Sequence, residues 1–292
     1  RWPSFGGCVE RDLDDKVIIV TGANSGIGRE AAHNFAARGA HVLMVCRNTE
    51  RGEAARDAIA SDTGKSPELL ICDVSDMDQV RRTAAEVRAR HERLDVLLNN
   101  AGVYLPRRQL SAQGLELTFA INHIGYFLLT YELMSLLRDS PASRVVNVTS
   151  AAHFYGSLDL EDLQFERRAY IGQRVYGTSK LLNILFTREL ARRLEGSDTS
   201  ANCVHPGLIR SGFGKDEPGL MKGLMTLVSP FIMSAKWGAR GSIYLATSPE
   251  VAEVTGAYFS GTSRGWTSPT AKNSEYAKLL WERSEALCGI TP

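Results

Sequence analysis

Little in this chain of 292 residues points to a metal, a membrane span or nucleic acid. Its five cysteines, Cys8, Cys46, Cys72, Cys203 and Cys288, include no CxxC pair and no metal-ligand spacing. An odd cysteine count in a chain of this size fits reduced, buried thiols rather than a disulfide framework, and no metal site is expected. The formal charge is +1, which removes the electrostatic case for a nucleic-acid partner. No long apolar run reads as a membrane span, since the stretch Gly219–Ala235 is interrupted by Lys222 and Pro230. No secretory signal, internal repeat, low-complexity segment or charge block is visible. The chain starts at Arg1 rather than at methionine, which leaves an upstream targeting or anchor segment open. The cytoplasm, or the cytosolic face of a membrane, is the expected location.

What is present is a regular alternation. Short β-branched or aliphatic runs occur at Lys16–Thr21, Ala40–Cys46, Pro67–Cys72, Leu94–Asn99, Arg144–Thr149, Ser200–His205 and Ala257–Ser260. Helical patterns lie between or after them at Gly26–Arg38, Glu50–Thr63, Ser75–Glu92, Ala112–Leu137, Gln173–Glu195, Lys236–Thr247 and Asn273–Cys288. Strand–helix alternation predicts an α/β fold with a parallel sheet covered on both faces. No linker-like stretch divides the chain, so residues 1–292 read as one domain. Two segments break the rhythm, the polar Tyr155–Val175 and the Gly-, Met- and Pro-rich Gly207–Ser234. Long irregular segments that follow strands are usually substrate loops, and a lid is expected over about 207–235.

The first strand runs directly into Thr21-Gly22-Ala23-Asn24-Ser25-Gly26-Ile27-Gly28. Gly22 permits a tight turn, Gly26 lets backbone approach a pyrophosphate, and Gly28 lets a helix pack close to the strand. The second strand ends Val45-Cys46-Arg47. An acidic residue there would accept the ribose hydroxyls of NAD; none is present, and the Arg47 guanidinium suits a 2′-phosphate, so NADP(H) is expected over NAD(H). Asp73, after the third strand, could bond the adenine. Asn99-Asn100-Ala101-Gly102, after the fourth, would let the chain run close to a flat cofactor, although an ordinary Asn-rich turn reads equally well.

Tyr176 and Lys180 stand four residues apart, about one helical turn, so they share a face. An ammonium beside a phenol favours the tyrosinate and is expected to pull its pKa below the usual value of about 10. A tuned proton donor on a chain that binds a dinucleotide suggests hydride transfer to or from a carbonyl.

Together these motifs resemble the short-chain dehydrogenase/reductase family, from Lys16 to about Cys288. The residues that carry the resemblance are Gly22, Gly26 and Gly28; Asn99 to Gly102; Asn122 in Ile121-Asn122-His123-Ile124-Gly125; Ser150 in Asn147-Val148-Thr149-Ser150; Tyr176 with Lys180; and Pro206-Gly207. The resemblance implies a single Rossmann-like domain with a seven-stranded parallel sheet. It implies a catalytic tetrad of Asn122, Ser150, Tyr176 and Lys180. It also implies a cofactor site built from Gly22, Asn24, Ser25, Gly26, Ile27, Gly28, Arg47, Asp73, Val74, Asn99, Ala101, Gly102, Tyr176, Lys180, Pro206, Gly207, Ile209 and Ser211. Ser211 stands in for the threonine that commonly follows Pro-Gly. Tyr176 would be the proton donor, Ser150 would orient the carbonyl, Lys180 would hold the nicotinamide ribose, and Asn122 would support a water chain.

Within the family the chain looks most like the NADP-linked retinol dehydrogenase group, through Val45-Cys46-Arg47, Asn122-His123, Val204-His205-Pro206-Gly207 and Leu280-Trp281-Glu282. Leu208, Leu220, Met221, Met225, Phe231 and Met233 make the lid region apolar and favour a lipophilic aldehyde, ketone or alcohol, such as a retinoid, steroid or fatty aldehyde. Contact of that region with a membrane surface or a partner subunit stays open, as does a homodimer. His153 and Tyr155 are candidates for the pocket wall, and His123 reads as structural. Two other functions compete: an NADPH-binding regulatory or scaffold protein with little turnover, and a reductase of a polar metabolite served by Arg107, Arg108, Arg167 and Arg168.

Overall fold

The computed structural model describes residues 11–207 and 234–290. Seven parallel strands form the centre of the fold: β1 (Val17–Thr21), β2 (His41–Cys46), β3 (Glu68–Ile71), β4 (Val96–Asn99), β5 (Arg144–Val148), β6 (Ser200–His205) and β7 (Tyr258–Ser260). Their spatial order is β3-β2-β1-β4-β5-β6-β7, so the order reverses between β1 and β4. Such a reversal opens a crevice at the carboxyl ends of the strands. An eighth strand, β8 (Ser263–Arg264), pairs antiparallel with β7 and extends the expected seven-stranded sheet to eight. Gly261, at φ +60, makes the reversal possible.

Both faces of the sheet are buried, which is why the strands read as unbroken apolar runs rather than alternating ones. Val17, Ile19, Leu43, Val45 and Leu70 point to one side; Ile18, Val20, Val42, Met44 and Cys46 point to the other. The first side is covered by α3 (Met77–Arg90), α5 (Gly125–Glu132), α7 (Gly172–Arg193) and α9 (Ser274–Leu287); α4 (Leu117–Phe119) and α6 (Met134–Asp139) flank α5. The second is covered by α1 (Gly26–Ala37), α2 (Thr49–Thr63) and α8 (Ala235–Thr247). Cys46, Cys72, Cys203 and Cys288 are all buried free thiols; Cys8 lies outside the described residues.

Two helix assignments need correction. The helix expected at Ala112–Leu137 starts at Leu117, because Leu110 bridges Glu116 and the Glu116 carboxylate accepts from the Thr118 and Phe119 N–H groups. It then widens into a π-helical turn over Ala120–Ile124 and is broken at Leu133. The helix expected from Ser75 starts at Met77, since Asp76 accepts from the N–H groups of Asp78 and Gln79 and caps it. The Ser75 hydroxyl instead bonds the Asp73 carboxylate at 2.7 Å.

Candidate active site

The glycine turn sits at the carboxyl end of β1, against the end of β4. Gly22 and Gly26 have φ of +67° and +56°, a region other residues rarely enter. A Cβ on Gly28 would stand 2.4 Å from the Gly22 carbonyl oxygen and 2.5 Å from Asn100 Nδ2, so only glycine allows α1 to start this close. The N-cap of α1, Ser25, makes no side-chain hydrogen bond, and the first turn of α1 has no acidic residue. By contrast, Asn48 caps α2 and Glu50 lies in its first turn. An uncapped N-terminus presents N–H groups and a positive dipole end, which suits a phosphate. These features fit a dinucleotide.

Thr21 Oγ1 accepts from the N–H groups of Asn100 and Ala101 at 2.9 and 3.0 Å, and Asn100 Nδ2 donates to the Thr21 carbonyl at 2.8 Å. The two strand ends are thereby locked together. The Asn99 side chain turns inward instead: fully buried, it donates to Thr130 Oγ1 and Asn147 Oδ1. At the end of β2, Arg47 is exposed and lies 3.8 Å from the partly buried Asp73 carboxylate. Cys46 is buried next to the backbone of Ala23 and Asn24, and burial pushes its thiol up to about 11. The structure thus brings Gly22, Asn24, Ser25, Gly26, Ile27, Gly28, Arg47, Asp73 and Val74 to one end of the sheet. Ala101 and Gly102 cross the crevice, and Pro206 and Gly207 follow β6. Ile209, Ser211 and most of the expected lid lie outside the described residues.

Ser150 follows β5 and caps the short 3₁₀ segment Ala151–Tyr155, accepting from the Ala152 N–H at 3.2 Å. That segment is pressed onto α7 where two glycines meet. A Cβ on Gly177 would stand 2.5 Å from the Ala152 carbonyl oxygen, and one on Gly156 would stand 2.8 Å from the Gly177 carbonyl oxygen. The contact brings Ser150 to Tyr176, on the first turns of α7, and the two side chains are hydrogen-bonded. Lys180, one turn further on, is buried, with Nζ 5.6 Å from the centre of the Tyr176 ring and 3.1 Å from the Val148 carbonyl oxygen. Gly102 passes overhead, since a Cβ there would lie 3.4 Å from both Lys180 Nζ and Asn122 Oδ1.

The electrostatics correct one expectation. Tyr176 is not pulled down by its neighbour: burial pushes the phenol up to about 12, the Ser150 hydrogen bond acting the other way. Burial also brings the Lys180 ammonium down to about 7. Removing the pair from water penalises both charged forms.

Asn122 lies in the π-helical turn, fully buried. Its Oδ1 accepts from the Val103 N–H at 2.8 Å, and its Nδ2 donates to the Val103 carbonyl and to Ser179 Oγ. These bonds tie the Asn122 amide to the loop after β4 and to α7. His153 is not part of a pocket wall: it is buried, with Nδ1 2.8 Å from the Ser150 carbonyl oxygen and Nε2 accepting from the Ser268 N–H. Tyr155 is 76% exposed. Thr21, Val103, Tyr104 and Ser179 were not singled out in the sequence. Tyr104 packs edge-on against Tyr176, with ring centres 6.2 Å apart. Ser179, between the paired Tyr and Lys on α7, was the one with a positional signal.

The family profile described as short chain dehydrogenase matches residues 16–218. The chain belongs to the short-chain dehydrogenase family. It is an oxidoreductase of alcohol and carbonyl groups, in a family that binds nicotinamide cofactors. Human retinol dehydrogenase 12 is 42% identical over 98% of this chain and 91% of its own length. An uncharacterised protein from Mycobacterium paratuberculosis has a crystal structure that aligns with TM-score 0.77 and 33% identity, covering 96% of each chain. A Shigella flexneri 2a protein described as a short chain dehydrogenase, solved in complex with NADP, aligns with TM-score 0.66 and 25% identity over 86% of this chain and 98% of its own. The expected family and fold are both borne out. Among the described residues no helix is long and apolar enough to cross a membrane.

Proposed function

We propose that this dehydrogenase uses NADP(H) to interconvert a lipophilic carbonyl compound and its alcohol. The observation that carries the reading is the meeting of Ser150, Tyr176 and Lys180 at the carboxyl end of the sheet, beside an uncapped helix N-terminus. When bound, the nicotinamide supplies or accepts the hydride. The protein supplies the rest. Ser150 Oγ donates a hydrogen bond to the carbonyl oxygen as negative charge grows there. Tyr176 gives that oxygen its proton; a phenol held near 12 stays protonated at neutral pH, which suits the reductive direction. Lys180, near neutrality in its proton affinity, can return a proton toward the phenol and hold the ribose. Asn122 keeps the Val103 backbone, and with it the crossing loop, in place. In the cofactor groove the amides of α1, Gly22, Ala101, Gly102 and Gly207 would lie along the dinucleotide. Asp73 would meet the adenine side.

Arg47 supports the choice of NADP(H), because its guanidinium is exposed directly after β2, where the run Val45-Cys46-Arg47 carries no acidic residue. The NADP complex of a structural relative agrees with it. The lipophilic substrate is supported by retinol dehydrogenase relatives and by the exposed Phe154 and Tyr155 directly after Ser150. Initial rates of NADPH oxidation against retinal, long-chain aldehydes, steroid ketones and small hydrophilic carbonyls test this. Saturable turnover is expected with the first three classes. Activity confined to the small hydrophilic carbonyls would overturn the lipophilic assignment, and equal kcat/KM with NADH would overturn the cofactor assignment.

A further inference from the structure

At the opposite end of the sheet, three side chains distant in the sequence converge. His41 opens β2, Glu68 opens β3, and His91 follows the last turn of α3. One ligand-type atom from each lies within 4.8 Å of the other two. His41 Nε2 is 3.3 Å from Glu68 Oε2, and His91 Nε2 is 3.7 Å from the same oxygen. Donors bound tetrahedrally at roughly 2.0–2.2 Å from zinc stand roughly 3.3–3.6 Å apart, so small side-chain adjustments close this triangle around an ion.

Two further observations favour a ligand over a simple polar cluster. His91 Nε2 is buried, and its contact with Glu68 Oε2 at 3.7 Å is longer than a good hydrogen bond, so an ion between the two would complete it. Glu68 is also oriented from behind. Arg90 pairs with Oε1 at 2.5 Å, which leaves Oε2 turned to the two imidazoles. Arg90 is itself neutralised from the other side by Glu86 at 2.8 Å. The group of two carboxylates and one guanidinium therefore keeps a net negative charge to receive a cation. Orientation of a ligand by a charged partner is a regular feature of metal sites. His41 is half-exposed, which gives an ion a way in and leaves room for water as a fourth ligand.

We propose that His41, Glu68 and His91 form a zinc site with two imidazoles, one carboxylate and an open water position. The ion would clip together the starts of the edge strand β3 and its neighbour β2, and the end of α3. It would lie a full strand length, roughly 17 Å for five residue steps, from Cys46 and the nucleotide end of β2. The site is therefore structural and separate from hydride transfer. Nitrogen and oxygen donors in this number suit Zn²⁺ better than Mg²⁺ or Ca²⁺, which prefer six or more oxygens.

The test uses the untagged full chain, stripped with EDTA and titrated with Co²⁺ in visible absorption, then with Zn²⁺ in competition. One saturable equivalent with a low-coordinate Co²⁺ spectrum, displaced by Zn²⁺, is expected. His41→Ala should weaken zinc binding by at least about ten-fold. Its side chain is half-exposed, so circular dichroism should show an unchanged fold. His33→Ala, which removes the separate His33–Asp62 pair, should leave the affinity unchanged. Zinc should raise the melting temperature of the wild type and not of His41→Ala. The proposal is overturned by the absence of a saturable equivalent, by affinity unchanged in His41→Ala, or by a thiolate charge-transfer band that places the ion on cysteine. Binding of Cu²⁺ or Ni²⁺ with no zinc binding at micromolar concentration overturns the assignment to zinc.

Discussion

The two ends of this one sheet handle charge in opposite ways. At the amino ends of β1 and β4, charge is paired. The buried Asp95 carboxylate, between β1 and β4, accepts from Lys16 Nζ at 2.9 Å, from Arg93 Nη2 at 2.5 Å and from the Val17 N–H at 2.9 Å. Burial alone would raise its pKa, but these donors hold it below the usual carboxylate range. At the carboxyl ends, Lys180 is buried against a backbone carbonyl and aromatic rings, and the α1 N-terminus is uncapped. Pairing charge fixes structure; leaving it unneutralised shifts proton affinity and leaves dipoles aimed at a ligand. Stability and reactivity thus occupy separate ends of the same strands.

The contrast is broken most strongly by substituting at one end and finding an effect that belongs to the other. Tyr176→Phe should lower kcat by roughly 10²–10⁴-fold while NADPH affinity and melting temperature stay near wild type. Turnover close to normal would remove Tyr176 from its role. Asp95→Ala should do the reverse, costing about 1–2 kcal/mol of stability in urea unfolding by leaving the buried Val17 N–H without its acceptor, with kcat per folded molecule unchanged.

A pH series sharpens the picture at the functional end. His123, fully buried beside Asn122 and 3.0 Å from Ser284 Oγ, is brought by burial down to about 4. The unfolded ring takes its proton near 6.5. Unfolding therefore binds a proton between those values, and this contribution is full above about pH 6.5 and lost as pH falls toward 4. His123→Gln should flatten the stability slope between pH 6.5 and 4, and an unchanged slope would assign acid sensitivity to another group. The smallest expected effect is Arg47→Ala, a loss of roughly ten-fold in kcat/KM for NADPH with little change for NADH.

Much of this was legible in the sequence. The seven parallel strands were visible because strands buried on both faces are continuous apolar runs, and the Gly22–Gly28 spacing marked the nucleotide end. Three features were hidden for identifiable reasons. Glu116 caps a helix although glutamate is not a favoured N-cap, and its burial beside the Tyr170 hydroxyl could not be inferred locally. Arg47 and Asp73 approach each other only because β2 and β3 are neighbours, and the same pairing joins His41 to Glu68. The upward shift of Tyr176 depends on how much water the packing of Gly156 on Gly177 excludes, which no spacing reveals.

The π-helical turn at Ala120–Ile124 carries a consequence of counting rather than chemistry. Such a turn holds one residue more than an α-helical turn would at the same place. Deleting one residue beside Asn122 in this turn would let the segment close into ordinary winding with the flanking turns kept in phase, because the turn had already absorbed the extra residue. The change would fall on the turn itself, where Asn122 would alter its angle toward Val103 and Ser179. A deletion of the same size in α5 would instead rotate one part of the helix against the other by about 100°.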